Sequence, residues 1–264
     1  DQYALVHAML SKKFIIKGLV AGHFRESGTN QMSYDEMVKL AKLTNTYGDY
    51  PIVLGADGKI SDYQNYEVSA GTDLIIKEAL KDDLRPLYVV NIGALTDLAT
   101  ALLKCPEIES KLTAIWVGGG RYPDGSHECN LNNDLLAANY VFASQIALWQ
   151  IPSNAYKTTL VSLAQLKLRV KPMGALGKYL YDQLENFIKD NYQQKPWVNS
   201  ECWVMGDSGA IGVLLEEQKS YYKEIAAPLF DENHHYIYNR NNRNIRVYFQ
   251  LNNYFIIEDM LSKI

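Results

Sequence analysis

The sequence predicts an α/β protein built on an open, mainly parallel sheet with helices on both faces, a Rossmann-like arrangement. Three observations predict it. Short apolar runs alternate with amphipathic stretches along the chain. The runs are near-continuously apolar, which marks strands buried on both faces. Turn formers bound most of them. With 264 residues, 47% hydrophobic and 21% charged, and no Pro/Gly/Ser-rich divider, the chain is read as one domain over residues 1–264.

Each element has its own justification. Gln2 to Leu10 reads as a helix already under way at Asp1, so a first strand, and any targeting signal, are expected upstream. Phe14 to Val20 reads as a buried strand ending near Ala21-Gly22-His23. Ser33 to Tyr47 carries Met37, Val38, Leu40, Ala41 and Leu43 at helical spacing, with Ser33 as cap and Glu36 three residues on. Pro51 to Gly55 is a strand, Asp73 to Leu80 a helix, Leu87 to Ile92 a strand and Leu95 to Leu103 a helix. Leu112 to Val117 is a strand that ends in Gly118-Gly119-Gly120. A helix over Asp134 to Ser144 precedes the strand Ala147 to Ile151. Helices follow at Leu160 to Val170, Gly174 to Asn191 and Asp207 to Glu217. Ile245 to Leu251 and Tyr254 to Ile257 read as closing strands.

Composition excludes several classes. A net charge of -4 argues against a nucleic-acid partner. The apolar runs are too short for a membrane span. Cys105, Cys129 and Cys202, unpaired in spacing, point to free thiols in a reducing, cytoplasmic setting.

In parallel sheets ligands sit beyond the carboxyl ends of the strands. That rule selects His23, Ile92-Gly93, the triple glycine with its following loop, and the segment leading to Asp207. Taken singly, each has a plain structural explanation. Asp207 before an apolar helix reads as an N-cap, and so does Asp134, where the cap is the preferred reading. His23 and His127 read as structural or loop histidines. His234 and His235, in the polar stretch Asp231 to Asn244, read as surface residues. The glycines lack the spaced fingerprint of a dinucleotide loop, which removes a dehydrogenase.

The ordered set says more. Asn91-Ile92-Gly93-Ala94-Leu95-Thr96-Asp97-Leu98-Ala99 resembles the Gly-Pro-Leu-Thr-Asn-Leu-Ala element of inosine/uridine-preferring nucleoside hydrolases. Trp116-Val117-Gly118-Gly119-Gly120 resembles their Met-Gly-Gly strand end. Glu128-Cys129-Asn130, with Asp134 and Ala137-Ala138, resembles their Glu-Phe-Asn and Asp-Pro-Glu-Ala-Ala segments. Asp1 with Ala4-Leu5 resembles the tail of their Asp-rich motif, and Gly206-Asp207-Ser208 falls where they carry a late metal-binding Asp.

The resemblance implies the nucleoside hydrolase fold and cleavage of the bond between ribose and base by a Ca²⁺-activated water. It implies Asp1, Asp207 and the Ile92 backbone carbonyl as metal ligands, with Asp1 and Asp207 also counted as catalytic. Glu128, Asn130, His23 and Val117 would line the sugar. It also implies a small nucleoside substrate, a salvage role, and a homodimer or homotetramer. The chemistry suits those residue types, because the oxocarbenium-like state of N-glycoside cleavage needs a strong nucleophile, and a hard cation with oxygen ligands makes one from water.

Departures matter too. The family's early Asp, its expected general base, and a ribose-contacting Asp lie ahead of Asp1. Gly206 stands where purine-acting relatives have a proton-donating His. His23 and His127 are the alternatives, or stacking of the base on Tyr156, Trp197 or Trp203. The loop Arg121 to His127 is short, and Cys129 replaces an aromatic. Two other functions therefore stay open: a hydrolase of another N-riboside, and a nucleoside-binding protein without turnover.

Overall fold

The computed structural model describes residues 1–25, 28–238 and 242–264. Part of the polar stretch expected over Asp231 to Asn244 thus lies outside the described residues. Eleven strands occur among the described residues: β1 (Leu19–Ala21), β2 (Ile52–Leu54), β3 (Leu87–Asn91), β4 (Leu112–Val117), β5 (Ala147–Ile151), β6 (Leu160–Ser162), β7 (Cys202–Val204), β8 (Tyr222–Ala226), β9 (Leu229–Phe230), β10 (Tyr236–Ile237) and β11 (Asn244–Tyr248). The main sheet runs β3-β4-β5-β11-β8, parallel except for β8 at one edge. β1 and β2 form a separate parallel pair. The helices that matter here are α1 (Gln2–Leu10), α2 (Thr29–Leu43), α3 (Ala70–Ala79), α4 (Thr96–Lys104), α5 (Cys129–Asn133), α6 (Leu135–Ala143), α7 (Ser153–Tyr156), α8 (Leu163–Arg169), α9 (Gly174–Asn191), α10 (Ser208–Leu215) and α11 (Asn253–Lys263).

The period-2 geometry of β4 separates the two faces of the sheet. Ala114 and Trp116 point into a core with Ile75, Leu98 and Val141, from α3, α4 and α6. Ile115 and Val117 point into a second core with Ala210, Val213 and Ile256, from α10 and α11. Helices therefore cover both faces, as the apolar runs predict, and the mainly parallel α/β class is observed.

Several elements differ from the sequence expectation, among them α2, which begins at Thr29, so that Ser33 lies inside the helix and donates to the Gly22 carbonyl instead of capping it. Tyr254 to Ile257 is helical, not strand: Ile256, Ile257, Met260 and Leu261 are buried at helical spacing, and Asn252 caps the helix by accepting from the Phe255 N–H. A four-residue apolar run cannot tell the two periods apart. Leu160 to Val170 splits into β6 and α8, because Ser162 caps inside the run while Leu160–Ser162 pairs with β7. Phe14 to Val20 forms a strand only from Leu19, where pairing with Ile52 begins. β8 was not expected, since Tyr222-Lys223-Glu224-Ile225-Ala226 has too little apolar content to read as a strand.

His7 ties α1 to α11: its buried Nε2–H donates to Asp259 Oδ2 at 2.7 Å. Burial holds His7 below its ordinary value, against the pull of Asp259. A second proton would land on Nδ1, which is buried with no partner among the described residues. Burial likewise lowers His23 and His234. The unfolded chain takes up protons at these histidines from about pH 6.5 downward, while the native state resists. Stability should be fully present above that pH and fall as pH drops through it. Thermal unfolding between pH 7 and 5 checks this, and His7→Gln should flatten the slope; an unchanged slope would remove His7 from the account.

Candidate functional site at the carboxyl ends of the strands

The carboxyl ends of β1, β3 and β4 meet the start of α10 around one polar floor. Trp116 organises it. Its ring is fully buried, edge-on to Phe142 and Phe230 at 5.6 and 6.2 Å, and its Nε1–H donates to the Gly93 carbonyl at 3.0 Å. Gly118 has no side chain because a Cβ there would lie 2.1 Å from this ring. Gly119, with φ of 88°, turns its N–H toward Glu128.

Asn130 bridges two strand ends. Its Nδ2 donates to the Val117 carbonyl at 2.7 Å and to the Ile92 carbonyl at 3.2 Å. The oxygen Oδ1 remains as an acceptor. Glu128 is buried and accepts from Gly119 N, Leu131 N, Asn130 N and the Tyr156 hydroxyl, all between 3.0 and 3.2 Å. A carboxylate has about four acceptor positions, so this one is filled from within. A sugar hydroxyl reaches Glu128 only by displacing a donor, and the Tyr156 hydroxyl is the one a side-chain rotation withdraws.

Asp207 stands at the N-cap position of α10 but makes no side-chain cap. Its Oδ2 instead lies 3.1 Å from the backbone nitrogen of Asp1. Asp134 does the opposite: it is buried and caps α6 at Ala137 N, while also accepting from Ile60 N and the Thr96 hydroxyl. The two aspartates that look alike in sequence thus part in the structure.

His23 is buried, with Nε2 2.9 Å from Thr96 Oγ1. The single Thr96 hydroxyl proton goes to Asp134, so Nε2 of His23 must donate. Burial, partly offset by Asp134, Asp97 and Asp57, lowers His23, so it stands neutral with Nδ1 as a lone-pair acceptor.

One residue and the role of another escaped the sequence reading. Asp97 is half-buried, and desolvation pushes its carboxyl up, offset by the Ser69 hydroxyl, Ala56 N–H and His23. Gly55 and Gly71 make room for it, since a Cβ at Gly55 would lie 2.4 Å from its Oδ2. An acid at the start of a helix reads as an ordinary dipole partner, so only those glycines hinted at burial. The second is the role of Tyr156, whose ring fills the place a side chain on Gly206 would take, 2.6 Å from a Cβ there. Burial and then Glu128 hold its phenol protonated.

Other expected residues gather less closely. His127 stacks on His234 at 5.2 Å, and His234 is buried, not at the surface as expected. Trp203 packs with Phe187 and Trp197 at 5.9 and 5.6 Å, in a separate aromatic cluster on β7. A cavity of about 1270 Å³ borders Asp1, His23, Ile92, Gly93, Asp97 and Asn130 and continues between β1 and β3. No helix among the described residues is long and apolar enough to cross a membrane.

The model of the family described as inosine-uridine preferring nucleoside hydrolase matches residues 26–253. No curated protein matches the chain. Among solved structures, the purine-preferring ribonucleoside hydrolase from Gardnerella vaginalis is similar with a TM-score of 0.81 at 16% identity, over 100% of this chain and 94% of that one. The inosine-uridine preferring nucleoside hydrolase of Bacillus anthracis gives 0.72 at 15%, over 100% and 95%. The type III effector protein XopQ, solved with adenosine diphosphate ribose, gives 0.75 at 13%, over 100% and 89%. At such identities the structures speak for the fold alone, while the family match spans most of the chain, and the chain is therefore an enzyme of the inosine-uridine preferring nucleoside hydrolase family.

Proposed function

We propose that this protein hydrolyses the N-glycosidic bond of ribonucleosides, releasing base and ribose, with Ca²⁺ held at the carboxyl ends of the strands. The observation that carries the reading is Asp207, which sits at a helix start without capping it, its carboxylate beside the backbone nitrogen where α1 begins. The donor set fits a hard cation: two carboxylates, Asp1 and Asp207, with the Ile92 carbonyl, all oxygen. No group of three or more His, Cys, Asp or Glu side chains gathers among the described residues. Bound calcium supplies the charge that acidifies water and orients the ribose hydroxyls.

The protein's own groups do the rest. The Oδ1 of Asn130 accepts from a ribose hydroxyl, and its Nδ2 holds the Ile92 carbonyl in place. Neutral His23 offers Nδ1 to a second hydroxyl. Asn130→Ala should weaken ribose binding by about 1–3 kcal/mol, since a buried hydrogen bond is lost. An unchanged inhibition constant for a ribose-mimicking iminosugar would refute that role. A reducing-sugar assay with inosine, uridine, adenosine and cytidine, with and without chelator, tests the whole reading. Chelator-sensitive ribose release supports it, and release that ignores the chelator removes the cation.

The space beside Gly206 favours a second reading, a hydrolase of another N-riboside. Tyr156 fills the place of a proton donor, and its raised pKa suits hydrogen bonding to Glu128 better than leaving-group protonation. p-Nitrophenyl riboside, whose leaving group needs no proton, separates the two. Rapid cleavage of it with slow turnover of all four nucleosides would favour the second.

A further inference from the structure

The three glycines after β4 form a turn that its own sequence cannot hold, because glycine has the widest backbone freedom of any residue. Each carbonyl of the turn is held from another element. Gly118 O accepts from Gln150 Nε2 at 3.0 Å, Gly119 O from the Ser153 N–H at 3.0 Å, and Gly120 O from the Tyr236 hydroxyl at 3.1 Å. The second Nε2 proton of Gln150 goes to the Tyr236 oxygen at 2.8 Å. Carbonyls only accept, so the amide must donate to Gly118 and the phenol to Gly120. Gln150 is fully buried in β5, and Tyr236 is buried in β10. Burying an amide costs free energy unless it is hydrogen-bonded, and this one directs both of its donors at the turn and its anchor. A Cβ on Gly119 would lie 2.4 Å from Gln150 Nε2 and 2.8 Å from the Tyr236 oxygen, so the pair sits directly against the turn. What the turn carries is Glu128. Two of that carboxylate's donors, the Asn130 and Leu131 N–H groups, belong to the helix it starts, and its tie to β4 is the Gly119 N–H. The β9–β10 segment is also fastened along the loop that leads to Glu128: Gly125 bridges His235, and the Tyr238 hydroxyl donates to the Pro123 carbonyl at 2.7 Å.

We propose that Gln150 and Tyr236 are positioning residues that set Glu128 by holding the triple-glycine turn, and that they thereby determine how tightly the sugar of the substrate is bound. Neither side chain touches the sugar; both act through the Gly119 N–H. Glu128 as a sugar contact belongs to the function proposed above, and the binding readout below rests on it, whereas the backbone readout does not. The calcium ligands proposed there, Asp207 and the Ile92 carbonyl, lie outside the turn, so metal affinity should not follow Gln150 or Tyr236.

Three variants test it. Tyr236→Phe keeps the ring, with its contacts to Phe230 at 5.0 Å and Tyr122 at 5.7 Å, and removes only the hydroxyl. Gln150→Met keeps most of the volume and removes the amide. Tyr248→Phe is the control, since it removes a buried hydroxyl that donates to the Glu217 carbonyl at 2.9 Å, past the far end of α10. Residue-resolved hydrogen exchange should show the Gly119 amide exchanging on the order of 10-fold faster in the first two variants and unchanged in the control. The inhibition constant of a ribose-mimicking iminosugar should rise about 5- to 10-fold in the same two, the scale of one hydrogen bond. KM should rise with it while kcat stays within about 2-fold, as when binding common to ground and transition states is lost. An unchanged Gly119 amide in Tyr236→Phe overturns the proposal at any activity. Equal acceleration in Tyr248→Phe overturns it in favour of general loosening, and faster exchange with an unchanged inhibition constant overturns it because Glu128 then keeps its place. Faster exchange in a protein whose wild type binds no iminosugar upholds the positioning of Glu128 and removes the sugar as its purpose, which is a failure of the proposed function instead.

Discussion

Asp207→Ala is expected to abolish calcium binding and reduce ribose release by on the order of 10²–10³-fold, the scale on which one preorganised electrostatic contact acts. The fold should survive. Asp207 makes no cap, so its carboxylate contributes little to α10, whose apolar face is held by contacts such as that of Gly209 with Leu251. Calorimetric titration with Ca²⁺, read beside thermal unfolding, separates the two effects. Wild-type metal affinity in the mutant would remove Asp207 from the site, whatever happens to turnover. Asp134→Ala is the useful contrast. Its carboxylate serves Ala137, Ile60 and Thr96 in the interior, so stability should fall first.

Trp116→Ala should cost about 3–5 kcal/mol of stability, the usual penalty for emptying a buried aromatic site. The ring is fully buried against Phe142 and Phe230, and Gly118 leaves room for it. Its loss leaves a cavity under the strand ends that no nearby side chain is placed to fill. Urea denaturation measures the change, and a loss below about 1.5 kcal/mol would mean the site collapses freely. Trp116→Phe keeps most of the ring and removes the Nε1–H. It isolates the hydrogen bond to Gly93, expected at about 1 kcal/mol. Because that bond fixes the loop carrying Ile92, the Phe variant should also weaken calcium binding, through the carbonyl proposed as a ligand.

Much of the fold is legible in the sequence. The strands Leu112–Val117 and Ala147–Ile151 and the helix Gly174–Asn191 appear with the boundaries read from the sequence. Their patterns are long or strongly apolar, and tertiary context has little to overrule. The closing segment at Tyr254 was misread for the opposite reason: four apolar residues fit either period, and burial against α10 decided for the helix.

The sequence by itself determined the layer architecture, since burial on both faces is written into apolar composition, and it determined which strand ends carry polar groups. Local pattern does not divide Asp207 from Asp134, because both are acids before apolar helices, and only the family resemblance set the metal at Asp207 and left Asp134 as a cap. The tertiary structure supplies the physical difference: Asp134 takes donors from the distant Ile60 and Thr96 besides its local cap at Ala137, while Asp207 lies beside the backbone nitrogen of Asp1. The same holds for Tyr156 and Gly206. Their contact joins residues fifty positions apart, and no local pattern encodes which ring will fill which gap. Patterns along a chain record what each residue must bury; which partner it meets there is fixed only when the layers close.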